Sequence, residues 1–524
     1  MADQLDDELL QVHIRDMSAG QFSYPHAGDK IVMPDNAGAQ LFDIEIDRIS
    51  QRTKRRGYTL KANAVGGAAI KGLIGFTPSG ASGLLLRERG GTIQSWDGAA
   101  ATWTDRKTGL TDPSDFTEFV AAKDRIFRMS QTDNIWSSSD GTTWSDEGNT
   151  NTDVPLGKIG VWTANQRFLV FNTDADPNLG WYSSAGDPQT FDRSTNAAKF
   201  GPKNDTGVIA ALEFTDNEIM VWTKDQMFAW NIQDTTPSNW IQTKIADIGC
   251  VAARTARQVG QDALFLSQDG VRSVIQSAQD KKRGDSLPLS FPIQDWIDRI
   301  NWTYAHKAIA YVWEDKYILS VPVDLATHNT HAFVWSRRAF EANQGRGGWV
   351  IWTNWAMNAY TIQSFGTKDK LYGGEASAAS KVYQLRSKTP SENTTNDNGT
   401  AIVFDETGKR LDFGIPNIDK SFQTLEVEAL AKDGGTLYVY AQVDGNGFTL
   451  LGTITQSAGL PQLPIALPFS LGGSNKVRGI FDLSVLDRGR EIQIQITEST
   501  LDAETELLGY SVTAFVENYE WNTR

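Results

Sequence analysis

The sequence is poor in the residues that build disulfides and metal centres. It has one cysteine, Cys250, and five histidines among 524 residues. A single cysteine excludes an intrachain disulfide framework and any metal site built from several cysteines. Long apolar runs are also missing, since no stretch approaches the roughly 18 consecutive apolar residues of a membrane-spanning helix. The sequence therefore predicts a protein that does not insert into a membrane.

Positive charge is scarce as well. Lys and Arg number 49 against 64 Asp and Glu, which gives a formal net charge of −15 at pH 7. This balance excludes a generally basic nucleic-acid-binding protein, although it leaves room for a local basic patch. The acidic opening MADQLDDELL lacks the basic-then-apolar order of a secretory signal peptide, so we expect the protein to mature in the cytosol.

Catalytic and cofactor-binding motifs are missing too. The sequence has no nucleophile elbow, no P-loop and no dinucleotide-binding glycine motif in a suitable context. His328 and His331 are three residues apart but have no third ligand nearby. Cys250 lies in the apolar run IADIGCVAA, which is typical of an inert core thiol. The sequence thus predicts a protein that is not an enzyme, with no catalytic residues, metal or cofactor.

Tryptophan and glycine, in contrast, are abundant, with 17 and 46 residues. From about residue 68 a unit of strand, polar turn and strand recurs, often followed by a tryptophan-bearing strand, as in GLLLRERGGTIQSWDGAAATWT and DRIFRMSQTDNIWSSSDGTTWS. The first turns are 43, 43, 49 and 44 residues apart, at Gly90, Asp133, Asp176, Asp225 and Asp269. Apolar residues alternate within each unit, which favours strands over solenoid helices. This period predicts an all-β protein with a six- or seven-bladed β-propeller at residues 61–420.

Two of the repeated hairpins carry a motif that resembles the Asp-box of sialidases and other propellers. The clearer copy, SSDGTTW, ends at Trp144 and has one residue fewer between Asp and Gly than the usual box; a degenerate copy, SWDG, begins at Ser95. In such a box the aspartate caps a hairpin turn and the tryptophan packs beneath it. The motif therefore predicts structure and not glycosidase chemistry. The residues predicted to form turns and to pack are Trp96, Asp97, Trp136, Asp140, Gly141 and Trp144.

The two ends of the chain differ from the repeats. Residues 421–524 contain alternating runs such as FQTLEVEALA and EIQIQITES, which predict a separate β-sandwich platform. The segment PQLPIALP at 461–468 is expected to be an extended connection. Residues 1–60 predict an irregular arm that includes a short helix at 37–42, capped by Asp35 or Asn36, and a first strand at DIEIDRI. A basic cluster ends this arm: Arg48, Arg52, Lys54, Arg55 and Arg56.

The order of motifs in the arm resembles that of the tail nozzle or tail-hub proteins of short-tailed bacteriophages, also described as head-completion proteins. An Asp-Met-Ser-x-Gly opening at 16–20 precedes a Pro-x-Asn segment with Ala-Gln at 34–40, and a Lys-Arg-Arg-Gly-Tyr step follows at 54–58. The Trp-Asp-Gly hairpins and the Leu-Tyr-Gly-Gly and Val-Tyr-Gln-Leu hairpin at 371–385 look like the propeller of that family. The resemblance covers roughly residues 14–420.

The resemblance implies a structural protein of the virion, placed in the phage tail and synthesised in the host cytoplasm. Proteins of this family form a homo-oligomeric ring, usually of six copies, below the portal and the adaptor, or head-tail connector, protein. The ring extends the channel for double-stranded DNA, retains packaged DNA until ejection and anchors tail fibres or spikes. The net charge of −15 is compatible with this role, because acidic walls repel the phosphate backbone.

Two other functions stay open from the sequence: a glycan-binding or sialidase-like propeller that acts as a receptor-binding protein, and a cytosolic scaffold. For a nozzle we predict two assembly surfaces. One is the N-terminal segment with its basic cluster. The alternative interpretation of this cluster is a solvated strand end. The other is the 421–524 domain, whose edge strands would pair between subunits.

Overall fold

The computed structural model describes residues 9–23, 33–48, 51–62, 66–201, 207–280, 287–366, 368–387, 392, 395–430, 435–456 and 476–516. The protein is all-β, with 49% strand and 7% helix arranged as many small sheets. This confirms the fold class that the alternating pattern predicts. In the described part, no helix is long and apolar enough to cross a membrane.

The chain divides into two compact units, each assembled from separated segments. Unit 1 comprises Met1–Tyr58, Trp335–Trp352 and Lys388–Arg524, and unit 2 comprises Thr59–Val334 and Thr353–Ser387. This grouping differs from three consecutive domains with boundaries near residues 60 and 420. The physical reason is strand pairing, because strands from the first 58 residues share sheets with strands from the last 120 or so.

Unit 2 contains seven groups of antiparallel strands that follow one another along the chain, and each group is called a sheet here. The first four sheets have four strands each, and every strand pairs with the next in sequence. Their strands are Ile70–Phe76, Leu84–Arg89, Thr92–Trp96 and Thr104–Lys107; Glu118–Ala122, Arg125–Met129, Trp136–Ser138 and Ser145–Asp146; Gly157–Trp162, Phe168–Thr173, Leu179–Tyr182 and Ala197–Lys199; and Ala210–Thr215, Glu218–Trp222, Met227–Asn231 and Ile241–Ala246.

The last three sheets of unit 2 are less regular. The fifth has three strands, the sixth consists of the first three strands of a nine-stranded sheet, and the seventh belongs to a six-stranded sheet that also includes Tyr58–Leu60. The strands are Arg257–Val259, Asp262–Ser267 and Gly270–Ser273; Ile309–Trp313, Lys316–Val321 and His331–Ser336; and Met357–Ser364, Asp369–Glu375 and Val382–Leu385. Short helices, both α and 3₁₀, join or follow these strands: Glu147–Thr150, Pro237–Asn239, Val274–Asp280, Phe291–Ile293, Gln294–Asp298 and Ala305–Lys307.

The first strands of neighbouring sheets contact one another in series. Ile70–Phe76 contacts Glu118–Ala122, and the contacts continue through the first strands of the third to seventh sheets. Met357–Ser364, the first strand of the seventh sheet, then contacts Ile70–Phe76. Because the series returns to its start, each of the seven sheets has a neighbour on both sides.

Aromatic side chains fill the space between successive sheets. Trp230 packs edge-on against Trp240, with ring centroids 4.7 Å apart, and Phe228 and Phe200 lie in the same cluster between the third and fourth sheets. Trp222 packs against Phe265 in the next cluster along. Such rings bury large apolar areas, and these two clusters hold three of the 17 tryptophans.

Unit 1 contains two large sheets, which we name sheet A and sheet B. Sheet A is ordered Ile44–Arg48, Gln51–Lys54, Glu506–Val516, Lys420–Leu430 and Lys476–Asp482, and Leu9–Ile14 also pairs with Glu506–Val516. The strands of sheet B in this unit are ordered Trp349–Trp352, Gly38–Phe42, Phe404–Gly408, Ile492–Glu498, Thr436–Val443 and Thr449–Thr455. The unit also holds a hairpin, Asn396–Asp397 with Thr400–Ala401, and the helix Arg337–Ala342.

Each sheet of unit 1 has an apolar side that follows the period of two. In sheet A the buried positions of one strand include Leu425, Val427 and Ala429, and in sheet B they include Leu437 and Val439. The intervening residues are partly or fully exposed. This alternation is the pattern by which the sequence predicts strands in residues 421–524.

The structure corrects two predictions for the N-terminal segment. Residues 37–42 do not form a helix, because Asp35 and Asn36 lie in a turn, closed by the Ala37 N–H to Pro34 O bond of 3.1 Å, and Gly38–Phe42 is a strand. This strand pairs with Phe404–Gly408, so long-range pairing decides its conformation. The described residues of the segment also form strands of both sheets rather than an irregular arm. The predicted connection at 461–468 lies outside the described residues.

Candidate functional site

The clearer Asp-box copy forms the turn between Trp136–Ser138 and Ser145–Asp146. Asp140 Oδ1 accepts the backbone N–H groups of Thr142 and Thr143, both at 2.7 Å, and the Ser138 hydroxyl at 3.0 Å. Burial acts to raise the pKa of Asp140, but these hydrogen bonds hold it well below its ordinary value. Gly141 has φ of 72°, a left-handed conformation that favours glycine.

The degenerate copy makes a similar turn. Asp97 Oδ1 accepts the N–H groups of Ala99 and Ala100 at 3.0 and 2.8 Å, and the Trp96 indole donates to Ala100 O at 2.7 Å. Trp96 is buried against Trp103, with ring centroids 6.1 Å apart. The two tryptophans of the clearer copy also pack locally: Trp144 lies 6.2 Å from the Phe119 ring, and the Lys107 ammonium lies 4.0 Å from the Trp136 ring. The contacts of all six residues are those of turns and packing.

The predicted basic cluster lies mainly inside unit 1. Arg52, Lys54 and Arg55 are buried, with exposures of 1%, 7% and 2%. Arg52 Nη1 forms an ion pair with Glu406 at 2.5 Å, and its other nitrogens donate to backbone carbonyls of Met17 and Asn36. The Lys54 ammonium is paired with Glu498 at 2.7 Å. In this chain these side chains join the N-terminal strands to distant segments of the same unit.

Arg55 has the most extensive pairing of the three. Its Nε donates to Asp43 Oδ1 at 2.6 Å, while Nη1 and Nη2 donate to the two oxygens of Asp397 at 2.8 and 2.6 Å. Burial alone would lower the pKa of Arg55, but the two carboxylates raise it above its usual value. The guanidinium therefore stays charged while it holds both carboxylates.

The other two basic residues reach the surface. Arg48 is exposed, and Arg56 pairs with Glu504 at 2.6 Å while both side chains are about a third exposed. They line a polar cleft of about 150 Å³, together with acidic side chains that include Glu45 and Glu506. Cations and carboxylates are balanced along this cleft, so it has no marked preference for an anion or a cation.

A second set of charged groups lies in unit 2, and the sequence analysis missed it. Four of its members stand on first strands of different sheets: Lys71, Glu118, Lys158 and Arg257. The others lie on adjoining connections: Asp112, Asp115, Arg254 and Lys307. We name these eight residues the first-strand cluster. Its members come together because first strands of neighbouring sheets are in contact.

Contacts within the first-strand cluster centre on Asp115 and the neighbouring Phe116. Asp115 forms an ion pair with Lys158, whose ammonium lies 4.7 Å from the centre of the Phe116 ring. The Arg254 guanidinium lies 4.6 Å from the same ring. Lys71 Nζ donates to Ser114 O at 3.1 Å. One short connection therefore contacts three cations that come from separate parts of unit 2.

Burial shifts several pKa values in the first-strand cluster. Desolvation raises the pKa of Glu118 to about 7, although Arg257, the Gly160 N–H and Arg254 act to lower it. Desolvation also lowers the pKa of Arg254 to about 9 and lowers that of Lys71. The first strands IKGLIGF and GKIGVW each carry one lysine among apolar residues and glycines, but second strands such as LLLRER also carry charges, so the sequence alone does not single out this cluster.

The described residues hold no group of three or more His, Cys, Asp or Glu side chains that is arranged to bind a metal ion. Cys250, the single cysteine, is buried, and burial raises the pKa of its thiol to about 11. A buried thiol with a raised pKa is unreactive, as its apolar sequence context predicts.

No protein-family model and no curated protein sequence matches the chain. Solved structures that resemble it include PorZ, a surface component of the type-IX secretion system of Porphyromonas gingivalis (12% identity, TM-score 0.38), and Raptor from Chaetomium thermophilum (11%, 0.39). A third is the extracellular domain of the putative one-component system BT4673 from B. thetaiotaomicron (9%, 0.40).

These similarities are partial. They cover 70%, 65% and 64% of this chain but only 44%, 30% and 40% of the three known structures, so the chain spans less than half of each. The TM-scores are too low for any inference about function.

Proposed function

We propose that the chain is a structural, non-enzymatic subunit of the tail nozzle of a short-tailed bacteriophage. In this proposal unit 2 is a seven-bladed β-propeller and unit 1 is a β-sandwich platform that joins neighbouring subunits. The proposal combines the order of N-terminal motifs in the sequence with one structural observation, the open side of unit 1 described below.

The propeller is supported by the arrangement of the seven sheets. One small sheet cannot bury both of its faces, whereas sheets in a closed series can, because each has two neighbours. The additional strand Tyr58–Leu60 in the last sheet also supports closure, since it ties the start of unit 2 to its end. The seventh blade is thus proposed to be built from both ends of the repeat region.

The observation that carries the assembly proposal is that two terminal strands of unit 1 lie side by side. Thr449–Thr455 ends sheet B, and Lys476–Asp482 ends sheet A. The two strands contact each other, with Gly452 facing Phe481 and Gly479 facing Ile454. Within the described ranges each of the two is the terminal strand of its sheet, and terminal strands are where a strand of another chain adds by backbone pairing.

Large apolar side chains are exposed at the same place. Ile480 is 64% exposed and Leu450 is 50% exposed, and Tyr438 and Phe448 lie nearby with exposures of 38% and 37%. Exposed apolar groups next to open strand edges are typical of surfaces that bind another chain. We infer that a second copy of the chain covers this side, and that repeated head-to-tail contacts close a ring.

The partners follow from the nozzle proposal. The ring would bind the adaptor protein on one face, would carry fibres or spikes on its outside and would let double-stranded DNA pass through its lumen. Location in the virion belongs to the same proposal. The net charge of −15 supports passage of DNA rather than its retention on the wall, since phosphate groups are repelled.

Ring assembly tests the proposal directly. We expect the purified chain to form rings in negative-stain electron micrographs and to elute as an oligomer in size-exclusion chromatography with light scattering. The variant Ile480→Lys should be monomeric, because a charge would be buried in the contact. Since Ile480 is largely exposed within one chain, the variant should still unfold cooperatively, at a temperature lowered only by the loss of assembly.

Leu325→Lys is the matched control. Leu325 is 92% exposed and belongs to unit 2, which does not contain the two terminal strands, so this variant should assemble like the wild type. A wild-type chain that stays monomeric, or an Ile480→Lys variant that forms normal rings, would contradict the assembly surface. The alternative glycan-binding function predicts saturable sugar binding by a monomer instead.

A further inference from the structure

The first-strand cluster has more positive than negative charge, in contrast to the chain as a whole. It contains five cations, Lys71, Lys158, Arg254, Arg257 and Lys307, and three carboxylates, Asp112, Asp115 and Glu118. The cluster therefore has an excess of two positive charges within a chain of net charge −15. Protonation of Glu118, whose pKa is about 7, increases this excess at neutral pH and below.

One cation of the cluster is buried without a carboxylate partner. Arg254 is 5% exposed, and its two terminal nitrogens donate to Asn358 O at 2.6 Å, to Asn358 Oδ1 at 3.1 Å and to Lys307 O at 3.4 Å. Its Nε is buried and has no hydrogen-bond partner in the described part of the chain. The hydrogen bonds of this buried guanidinium go to neutral acceptors, and although Asp115 and Glu118 act to raise its pKa, desolvation outweighs them, so further negative charge nearby would stabilise it.

Other cations of the cluster are held close to Arg254. The Lys158 ammonium and the Arg254 guanidinium both contact the Phe116 ring, at 4.7 and 4.6 Å from its centre. Lys71 lies close enough to Arg254 and Lys307 for both to oppose its protonation. Like charges gathered in this way repel one another, and an anion between them removes the repulsion.

We propose that the first-strand cluster binds a doubly charged tetrahedral oxyanion group, phosphate or sulfate. The charge of such a group matches the excess of two positive charges. Its several oxygens can accept the ammonium groups of Lys71 and Lys158, and the guanidinium of Arg254 beside the Phe116 ring adds to the electrostatic attraction. Asp115 has a positioning role, since its ion pair holds Lys158 beside the Phe116 ring. The site is independent of ring assembly, because all these residues belong to unit 2.

Titration calorimetry of the full chain tests the site with four probes at constant ionic strength: sulfate, inorganic phosphate, glucose 6-phosphate and N-acetylneuraminate. We expect saturable binding of the first three. Equal affinity for the inorganic ions and the sugar phosphate indicates that the site takes a free oxyanion, and tighter binding of glucose 6-phosphate indicates an oxyanion carried by a sugar. Both results support the proposed chemistry.

Two variants connect the binding to the cluster. Lys71→Met and Lys158→Met should each weaken sulfate binding by roughly tenfold, because each removes one charge that faces the anion. The matched control is Lys224→Met, an exposed lysine elsewhere in unit 2, which should leave the affinity unchanged. Unfolding temperatures of all three variants establish that unit 2 remains folded.

Three results would overturn the site. The first is a wild-type chain that gives no saturable signal with sulfate or phosphate. The second is unchanged sulfate affinity in folded Lys71→Met and Lys158→Met variants. The third is binding of N-acetylneuraminate without binding of sulfate, which would assign the cluster to a carboxylate-bearing glycan.

Discussion

At the scale of single residues, the basic cluster at 48–56 shows what a sequence pattern can and cannot reveal. Five cations within nine residues predict an exposed patch, yet three of them are buried in ion pairs. Arg55 pairs with Asp43, 12 positions away, but its second carboxylate, Asp397, and the partners of Arg52 and Lys54 are 342, 354 and 444 positions away in the sequence. Only the fold brings them together, so spacing along the chain does not predict their burial.

Arg55 and its neighbour Arg56 provide a matched comparison of a buried ion pair with an exposed one. Arg55→Met removes the buried cation that pairs with both Asp43 and Asp397, and we expect the free energy of unfolding to fall by about 3–5 kcal/mol. Arg56→Met removes an exposed pair with Glu504 and should cost only about 0–1 kcal/mol. Chemical denaturation followed by tryptophan fluorescence measures both values, and equal losses would show that the buried network contributes no special stability.

At the scale of elements, hairpin turns are more predictable than pairing partners. The run Ser138–Trp144 predicts a capped turn because all its hydrogen bonds form within six residues, and the structure has this turn. The helix expected at 37–42 is wrong because Gly38–Phe42 is fixed by strands from residues 349–352 and 404–408. Hydrogen bonds that form within a short segment can be predicted from its sequence, whereas the conformation of a short apolar segment depends on the strands that it pairs with.

The contribution of this turn to stability can be tested separately by replacing Asp140. Asp140→Ala removes the acceptor of two backbone N–H groups, and we expect a loss of about 1–2 kcal/mol in the free energy of unfolding at pH 7. Since the pKa of Asp140 is lower in the folded state, its contribution is present above the ordinary pKa of aspartate and is lost as the pH falls below it. The difference between wild type and variant should therefore shrink in acid. A difference that is constant with pH would contradict a role for the ionised carboxylate.

At the scale of the whole molecule, the repeats predict that unit 2 is built from many small sheets but not how the series ends. Counting the repeated units predicts six or seven blades, and the structure has five separate small sheets followed by two groups of strands that belong to a nine-stranded and a six-stranded sheet. The seventh sheet is difficult to recognise from the sequence because one of its strands, Tyr58–Leu60, comes from the other end of the unit. The interleaving of units 1 and 2 is similarly hidden, since it depends on pairing between the two ends of the chain.

Closure between the first and seventh sheets can be tested at Gly75. A Cβ atom at this position would lie 2.2 Å from the carbonyl oxygen of Ile362, a backbone atom of the seventh sheet, so Gly75→Val forces the two first strands apart. We expect a loss of about 1–3 kcal/mol in the free energy of unfolding, as in overpacked interiors. Gly66→Val is the control, because a Cβ atom there meets no atom within 4 Å.

The number of sheets that Gly75→Val destabilises distinguishes a closed series of sheets from a row of independent ones. If each sheet depends on both neighbours, opening the contact at Gly75 removes support from the whole series, and hydrogen-exchange protection should fall in all seven sheets. The effect should reach the fourth sheet, where the strand Glu218–Trp222 lies on neither side of the altered contact. Protection lost in the first and seventh sheets alone would show that the sheets unfold independently, and the seven-bladed propeller would then lose its main support.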